Sequence, residues 1–363
     1  MVLYCDQAAA AQPDDDVLDF FVTVSRVAYS NQEALHGAAF EIRKAMDEAG
    51  RELVRDLTGT DDFATCWCNS GTDAFLLLEH SGILDGRNAV SSSLEHPALQ
   101  AVLKRRCSSV KNLKCRRNGV LIPEKGEYDI ALFHSVQSEL GVMQDIPELM
   151  GKMPEHGIRF TDAVQSAGKT DMKRIAANSD IIAISGVKFG SPGGGALLVR
   201  KKCPWSSRMI EKIASARHPE YTAARVLPPA ALSCAYALQK CCRNMEFRLE
   251  SMRRLNSFLR SELAGDDIVF TVPEHQSSPY ILHLLLPGKQ GGVVVRMLSE
   301  MQIFAGSGSA CAAETGNGSA VLRAAGYSGK ESFSGIRLSF GFDFSFEQAE
   351  FLIKSLRQVL KNY

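Results

Sequence analysis

A lysine stands at the junction between an apolar run and a glycine-rich turn. Ile181-Ile182-Ala183-Ile184 lead into Ser185-Gly186-Val187-Lys188, and Gly193-Gly194-Gly195 follow. The run reads as a buried strand, so its end is a costly place for an ammonium group. Desolvation lowers a lysine pKa and frees the amine as a nucleophile toward a carbonyl carbon. Upstream, Ile158-Arg159-Phe160-Thr161-Asp162 reads as a second strand, ending in a carboxylate. A third strand-like run, Phe63 to Cys68, passes through Asn69-Ser70-Gly71-Thr72-Asp73 into a helical run, Ala74 to Leu78. Strand, glycine turn and helix start present N–H groups and a positive dipole end to an anion. Ser185 is placed to add a hydroxyl to the same anion.

Each feature has a bland reading when taken singly: a loop lysine reaching solvent, an Asp in a turn or cap, a turn with no ligand. Together they fit pyridoxal phosphate, whose aldehyde needs an amine and whose pyridine nitrogen needs an acid. On this reading Lys188 holds the aldehyde, Asp162 the ring nitrogen, and Gly71, Thr72 and Ser185 the phosphate.

Further blocks, in order along the chain, resemble the cysteine desulfurases, pyridoxal-phosphate enzymes of the class V aminotransferase group. They are Tyr4-Cys5-Asp6-Gln7-Ala8-Ala9, Asn31 to Gly37, Leu94-Glu95-His96, Gln137 to Ile146, Asp162-Ala163-Val164-Gln165-Ser166-Ala167-Gly168-Lys169, Gly306-Ser307-Gly308-Ser309-Ala310-Cys311 and Ile336-Arg337-Leu338-Ser339-Phe340-Gly341. The resemblance implies that Lys188 removes the Cα proton of L-cysteine and that Arg337 binds its carboxylate. It implies that His96 stacks on the cofactor ring and shuttles the substrate thiol proton, and that Gln165 supports the phenolic oxygen. Cys311 falls on the nucleophile that takes the sulfur, becomes a persulfide and leaves alanine. Its distance from Val321-Leu322-Arg323 is similar to that of the subgroup with a long catalytic loop. The small residues around Cys311 agree with an exposed, mobile segment. Cys66, Cys68, Cys107, Cys115, Cys203, Cys234, Cys241 and Cys242 read as small buried hydrophobes.

Three positions depart from the family pattern. Val187 replaces a phosphate-contacting histidine. Gln137 and Ser138 replace paired asparagines, so the amide contact with the cofactor is either remade by the longer Gln137 or lost. Val226 replaces a threonine that reaches the phosphate across a dimer. Two lost phosphate contacts are worth on the order of 1–3 kcal/mol each, which weakens cofactor binding without abolishing it. Two alternatives stay open: another class V enzyme, such as a selenocysteine lyase or an aminotransferase, and a weakly active partner subunit. A transaminase has no use for the thiol of Cys311.

The elements that must hold these residues follow from periodicity. Strand-like runs at 89–91, 130–134, 158–161, 181–185 and 196–199 alternate with helical stretches such as 98–106. Such alternation predicts an α/β fold with a mainly parallel sheet, covered on both faces and binding ligands at its carboxyl ends. By resemblance this is the aspartate aminotransferase-like fold of type I. A large cofactor-binding domain is expected over 14–240, and a small C-terminal domain over 241–363 with 1–13. A long helix from Met245 to Leu263 bridges the two. The last helix starts at a capping box, Ser345-x-x-Gln348.

Composition narrows the partners. Lys plus Arg and Asp plus Glu both number 41, and no basic block argues for nucleic acid. No apolar run approaches the ~18 residues of a membrane span. Asp6 and Asp14-Asp15-Asp16 interrupt any signal sequence, so the ten cysteines read as reduced thiols in a cytoplasmic compartment. Cys66-x-Cys68 has no matching second pair, and no metal site is expected. The implied partners are L-cysteine, a sulfur-acceptor protein (a scaffold or a thiolation enzyme) and a second copy of the chain.

Overall fold

Strand β1 (Leu3–Cys5) is followed by β2 (Phe63–Cys68), β3 (Asn88–Ser92), β4 (Ser109–Leu113), β5 (Ile130–His134), β6 (Ile158–Asp162), β7 (Ile181–Ser185) and β8 (Gly195–Arg200). The structure, a computed structural model, describes residues 1–215, 226–265, 267–308 and 318–363. Strands β2 to β8 form one seven-stranded sheet in the order β2-β8-β7-β6-β5-β3-β4. Only β8 runs antiparallel to its neighbours, so the sheet is mainly parallel, as the alternation predicts.

Strands β5 and β7 are almost continuously apolar because helices cover both faces. Successive residues of β7 feed opposite cores. Ile182 and Ile184 pack with the helices Gly37–Thr58 and Pro228–Arg243, and Ile181 and Ala183 with the helices Gly71–His80 and Pro97–Arg106. Carboxyl ends of β2, β5, β6 and β7 therefore share one edge.

Beyond the sheet come β9 (Val269–Phe270), β10 (Ile281–Leu285), β11 (Ile303–Ala305) and β12 (Gly335–Ser339). They form an antiparallel sheet, β12-β10-β9, and a parallel pair, β1-β11. A separate core joins Leu3 and Cys5 to Met252, Leu255, Leu259 and Leu263 of the helix Met245–Leu263, and to the C-terminal helix Phe346–Asn362. The capping box at Ser345 and Gln348 is present. Residues 1–5 thus cross to the far end of the chain, and Asp6 is carried there with them.

Candidate active site

Four backbone ends meet at the carboxyl edge of the large sheet. Ser70 caps the helix Gly71–His80 by accepting from the Asp73 N–H at 3.1 Å. Gly71 N–H donates to Ser185 Oγ at the end of β7, at 3.2 Å. A Cβ on Gly71 would stand 3.2 Å from both Ser185 Cβ and Val164 Cγ2, so only glycine lets the helix start approach β7 this closely. Among the described residues the Thr72 N–H has no protein acceptor, and Thr72 itself is exposed. The cradle has the donors and the space for a phosphate.

Asp162 ends β6 and is buried, with Val164 N–H donating to its Oδ1 at 2.9 Å. It forms no ion pair among the described residues. Burial pushes its carboxyl up to about 6 against the pull of that N–H, and the Glu95 charge adds to the rise. A buried acid without a cation is what a protonated pyridine nitrogen would satisfy. Lys188 closes the turn Gly186–Lys188 after β7, and its Nζ donates to the Ala9 carbonyl. Burial holds its amine below the usual lysine range; the Arg337 charge adds to this, while Asp6 and Asp162 oppose it.

His96 caps the helix Pro97–Arg106, its Nδ1 accepting from the Ala98 N–H at 3.2 Å. That bond leaves the ring proton on Nε2. Burial and the Lys188 charge lower its pKa, so His96 offers a neutral N–H donor at pH 7. Behind it, Glu95 Oε1 meets His134 Nδ1 at 2.7 Å. Burial works against a charge on His134, yet Glu95 raises its pKa overall.

Gln165 Nε2 donates to Ala8 O at 2.8 Å, and its Oε1 accepts from Lys169 at 3.4 Å. Gln137 is spent on backbone: its Oε1 accepts from Glu139 and Leu140 N–H at 2.6 and 2.7 Å, and its Nε2 reaches Leu94 O at 3.3 Å. One Nε2 hydrogen is all it retains for a ligand. Val187 offers its carbonyl to Ala11 N–H at 2.7 Å, and Val226 is buried in the core between the sheet and its helices.

Arg337, on β12, supplies the opposite wall. Its Nη2 donates to Asp6 Oδ1 at 2.5 Å and its Nη1 to Ser138 O at 2.8 Å. Its Nε is buried with no partner, a donor directed at no protein acceptor, and this fits a substrate carboxylate. Gly306 pairs with Arg337 through both backbone bonds. Cys311 and the loop around it lie outside the described residues. Of the residues flanking that loop, Gly308 lies against the Glu139 carboxylate, where a Cβ would come within 3.1 Å. Ser319 Oγ donates to the same carboxylate. The nine described cysteines are free. Burial pushes the thiols of Cys5, Cys234 and Cys242 up to about 12, and those of Cys107 and Cys203 to about 11, so they rest as protonated thiols. Cys107, Cys115, Cys203 and Cys242 are half-buried rather than fully buried. Among the described residues there is no cluster that could hold a metal.

Lys188 lies within electrostatic reach of His96, Asp162 and Arg337, and Gly71 bonds Ser185. Asp6 was given no role from sequence, and neither were the Ala9 carbonyl, Lys169 and His134. The available signals were that Asp6 and Ala9 fall in the opening Tyr4–Ala9 block and Lys169 in the Asp162–Lys169 block.

Comparison with known proteins places this geometry. The family profile for aminotransferase class-V matches residues 3–352. The chain is 23% identical to a putative cysteine desulfurase NifS of Bacillus subtilis (strain 168), over 97% of this chain and 93% of that protein. It is 26% identical to a cysteine desulfurase IscS of Pectobacterium carotovorum subsp. carotovorum (strain PC1), over 98% and 92%. A NifS-like protein from Rickettsia africae ESF-5 superposes with a TM-score of 0.83 at 17% identity, covering 99% of this chain and 100% of that one.

Proposed function

The chain belongs to the aminotransferase class-V family, and on that footing we propose that it is a pyridoxal-phosphate-dependent cysteine desulfurase. The reaction is L-cysteine plus the Cys311 thiol giving L-alanine plus the Cys311 persulfide. The observation that carries this reading is an amine of lowered pKa within electrostatic reach of both a buried acid without a cation and an arginine with an unpartnered buried donor.

Lys188 would hold the cofactor aldehyde, Asp162 its ring nitrogen, and Gly71, Thr72 and Ser185 its phosphate. When bound, the cofactor supplies an electrophilic carbon and an electron-accepting ring. Arg337 binds the substrate carboxylate through its free Nε, aligned by Ser138 O and Asp6. Lys188 takes the Cα proton, helped by a desolvated amine that is a free base nearer neutral pH. His96 Nε2–H donates a hydrogen bond into the site; fixed as a helix cap, it is an orienting donor rather than a base. Cys311 attacks the substrate sulfur as a thiolate.

The persulfide is then passed to an acceptor protein, a scaffold for iron–sulfur assembly or a thiolation enzyme, in a reducing cytoplasm. A homodimer is supported by apolar side chains left exposed at the start of the chain: Tyr29 is 81% exposed and Leu35 fully so. The domain division at 240/241 is supported by the separate core around β10 and β12. A weakly active subunit is the second reading, supported by the commitment of Gln137 to backbone and by Val226 in an apolar core.

Absorbance and sulfide release test the proposal. The purified protein should absorb at roughly 390–430 nm, and Lys188→Ala should abolish the band. Cys311→Ser should keep the band and lose sulfide release from L-cysteine. A coloured protein whose Cys311→Ser variant retains full activity would refute the assignment.

A further inference from the structure

A cavity of about 290 Å³ opens behind Lys188, against the helices Pro228–Arg243 and Met245–Leu263 and the turn at Phe342. Lys188 is on its wall, whereas His96, Asp162, Gln165 and Arg337 are not. The cavity thus lies to one side of those four residues and meets their neighbourhood at Lys188 and Lys169.

Two of its wall residues are basic and more than nine-tenths buried, Lys169 and Arg248. Burial, with the Lys188 charge adding to it, holds the Lys169 amine down at about 7, so it is only partly charged near neutral pH. Lys169 Nζ has one long contact, to the Gln165 amide oxygen at 3.4 Å. The Arg248 guanidinium lies 3.7 Å from the centre of the Phe342 ring and beside the Cys241 thiol. Neither basic group forms an ion pair among the described residues. Lys240, on the same wall, shows the ordinary solution, being paired with both Asp14 and Asp16. The other wall carboxylates, Asp15 and Asp343, are exposed at the rim.

Buried charges are ordinarily paired or bind an ion. Arginine is always charged, and its planar fork matches an oxyanion through two parallel bonds. The volume suits a ligand of amino-acid size, at the lower end of ordinary ligand pockets. We propose that this cavity binds a small oxyanion, a carboxylate or a phosphate, clasped between Arg248 and Lys169 with Tyr280 beside it. An anion there adds negative charge next to Lys188 and favours its ammonium over the free amine. The cavity thereby damps the base of the reaction when the anion is abundant. Binding does not depend on the desulfurase reading; only this damping does.

Thermal unfolding of the protein as purified with its cofactor gives the first test, with sodium acetate or inorganic phosphate replacing chloride at constant ionic strength. Acetate or phosphate should raise the unfolding temperature saturably, and the anion that does so identifies the ligand class. Arg248→Gln and Lys169→Gln should each weaken this response by about tenfold or more. Arg248→Lys should restore part of it, and Arg337→Gln should leave it intact. Equal stabilisation of the wild type and Arg248→Gln, or no stabilisation beyond chloride, overturns the proposal. Steady-state sulfide release gives the second test. The anion should lower kcat at unchanged KM for L-cysteine in the wild type, with no effect in Arg248→Gln. Purely competitive inhibition that persists in Arg248→Gln would assign the anion to Arg337 and end the case. A colourless protein that binds anions through Arg248 would sink the desulfurase reading alone.

Discussion

The site's two buried charges are built in opposite ways. Asp162, at the edge of the large sheet, is buried with one N–H donor and no cation. Arg337, on β12, is buried with a carboxylate already in place. The cofactor end is therefore electrostatically incomplete, and the substrate end is neutralised from within. A folded protein tolerates the first because the carboxyl can take up a proton. It tolerates the second because guanidinium cannot lose one and must be paired. The cofactor end gains stability when its ligand arrives, whereas the substrate end must bind its ligand against an existing partner.

The strongest way to break this comparison is Asp162→Asn. The folded value of about 6 lies above the ordinary 3.8, so the folded state holds the proton more tightly than the unfolded chain. Stability from this group is full below about 3.8 and is lost as pH rises to about 6, by up to about 3 kcal/mol. In the cofactor-free protein, Asp162→Asn should thus be more stable than the wild type at pH 7.5, and no more stable at pH 4, by urea denaturation. With cofactor bound, the same change should cut sulfide release by about 10³-fold, ~4 kcal/mol of barrier. If the stability difference does not depend on pH, Asp162 has a cation in the protein and the contrast collapses.

At the other end, Arg337→Lys keeps the charge and loses the fork. KM for L-cysteine should rise about 10²-fold with a smaller change in kcat. A fall in kcat at constant KM would mean that Arg337 acts elsewhere than on the substrate carboxylate.

The two ends also differ in how far the sequence disclosed them. The strand runs at 130–134 and 181–185 coincide with β5 and β7, because continuous apolar runs bounded by turn residues leave few alternatives. Lys188 and Asp162 stand out as residues at successive strand ends, where such sheets bind ligands, and each keeps a bland reading until they are taken together with the glycine turn. Arg337 was reached through resemblance, and its partner Asp6 was not reached at all. The two are 331 residues apart in the chain, and no periodicity or capping rule spans that distance. The pairing of β1 with β11 and the direct bridge of Asp6 to Ser339 bring Asp6 to β12. Lys169 was hidden for a related reason. It was read as one letter of the Asp162–Lys169 block, whereas its burial is set by helices far along the chain. Gln137 shows the limit of matching by residue type: its amide reaches the predicted neighbourhood, but it bonds the backbone of its own turn.

A smaller effect should come from Gly71→Ala, which tests whether the cofactor end is held by close backbone approach. The added methyl would meet Ser185 Cβ and Val164 Cγ2 at 3.2 Å, tight enough to push the helix start away from β7. Cofactor affinity should fall about tenfold, with ~1–2 kcal/mol lost in stability. Equilibrium dialysis and urea melts would measure the two; unchanged affinity would place the phosphate elsewhere.

The smallest effect, and the one that sharpens the comparison most, is expected from Asp6. Asp6→Asn keeps an acceptor for Arg337 Nη2 and removes the charge. If internal neutralisation restrains the substrate end, the freed positive charge should attract the cysteine carboxylate more strongly. KM should then fall about two- to threefold, at a stability cost of ~1 kcal/mol. Asp6→Ala removes the acceptor as well, so the guanidinium loses alignment and KM should rise. Opposite signs for the two variants would show that Asp6 both aims Arg337 and opposes its ligand. If Asn raises KM as Ala does, Asp6 serves only to aim the arginine, and the substrate end is no more restrained by its charge than the cofactor end.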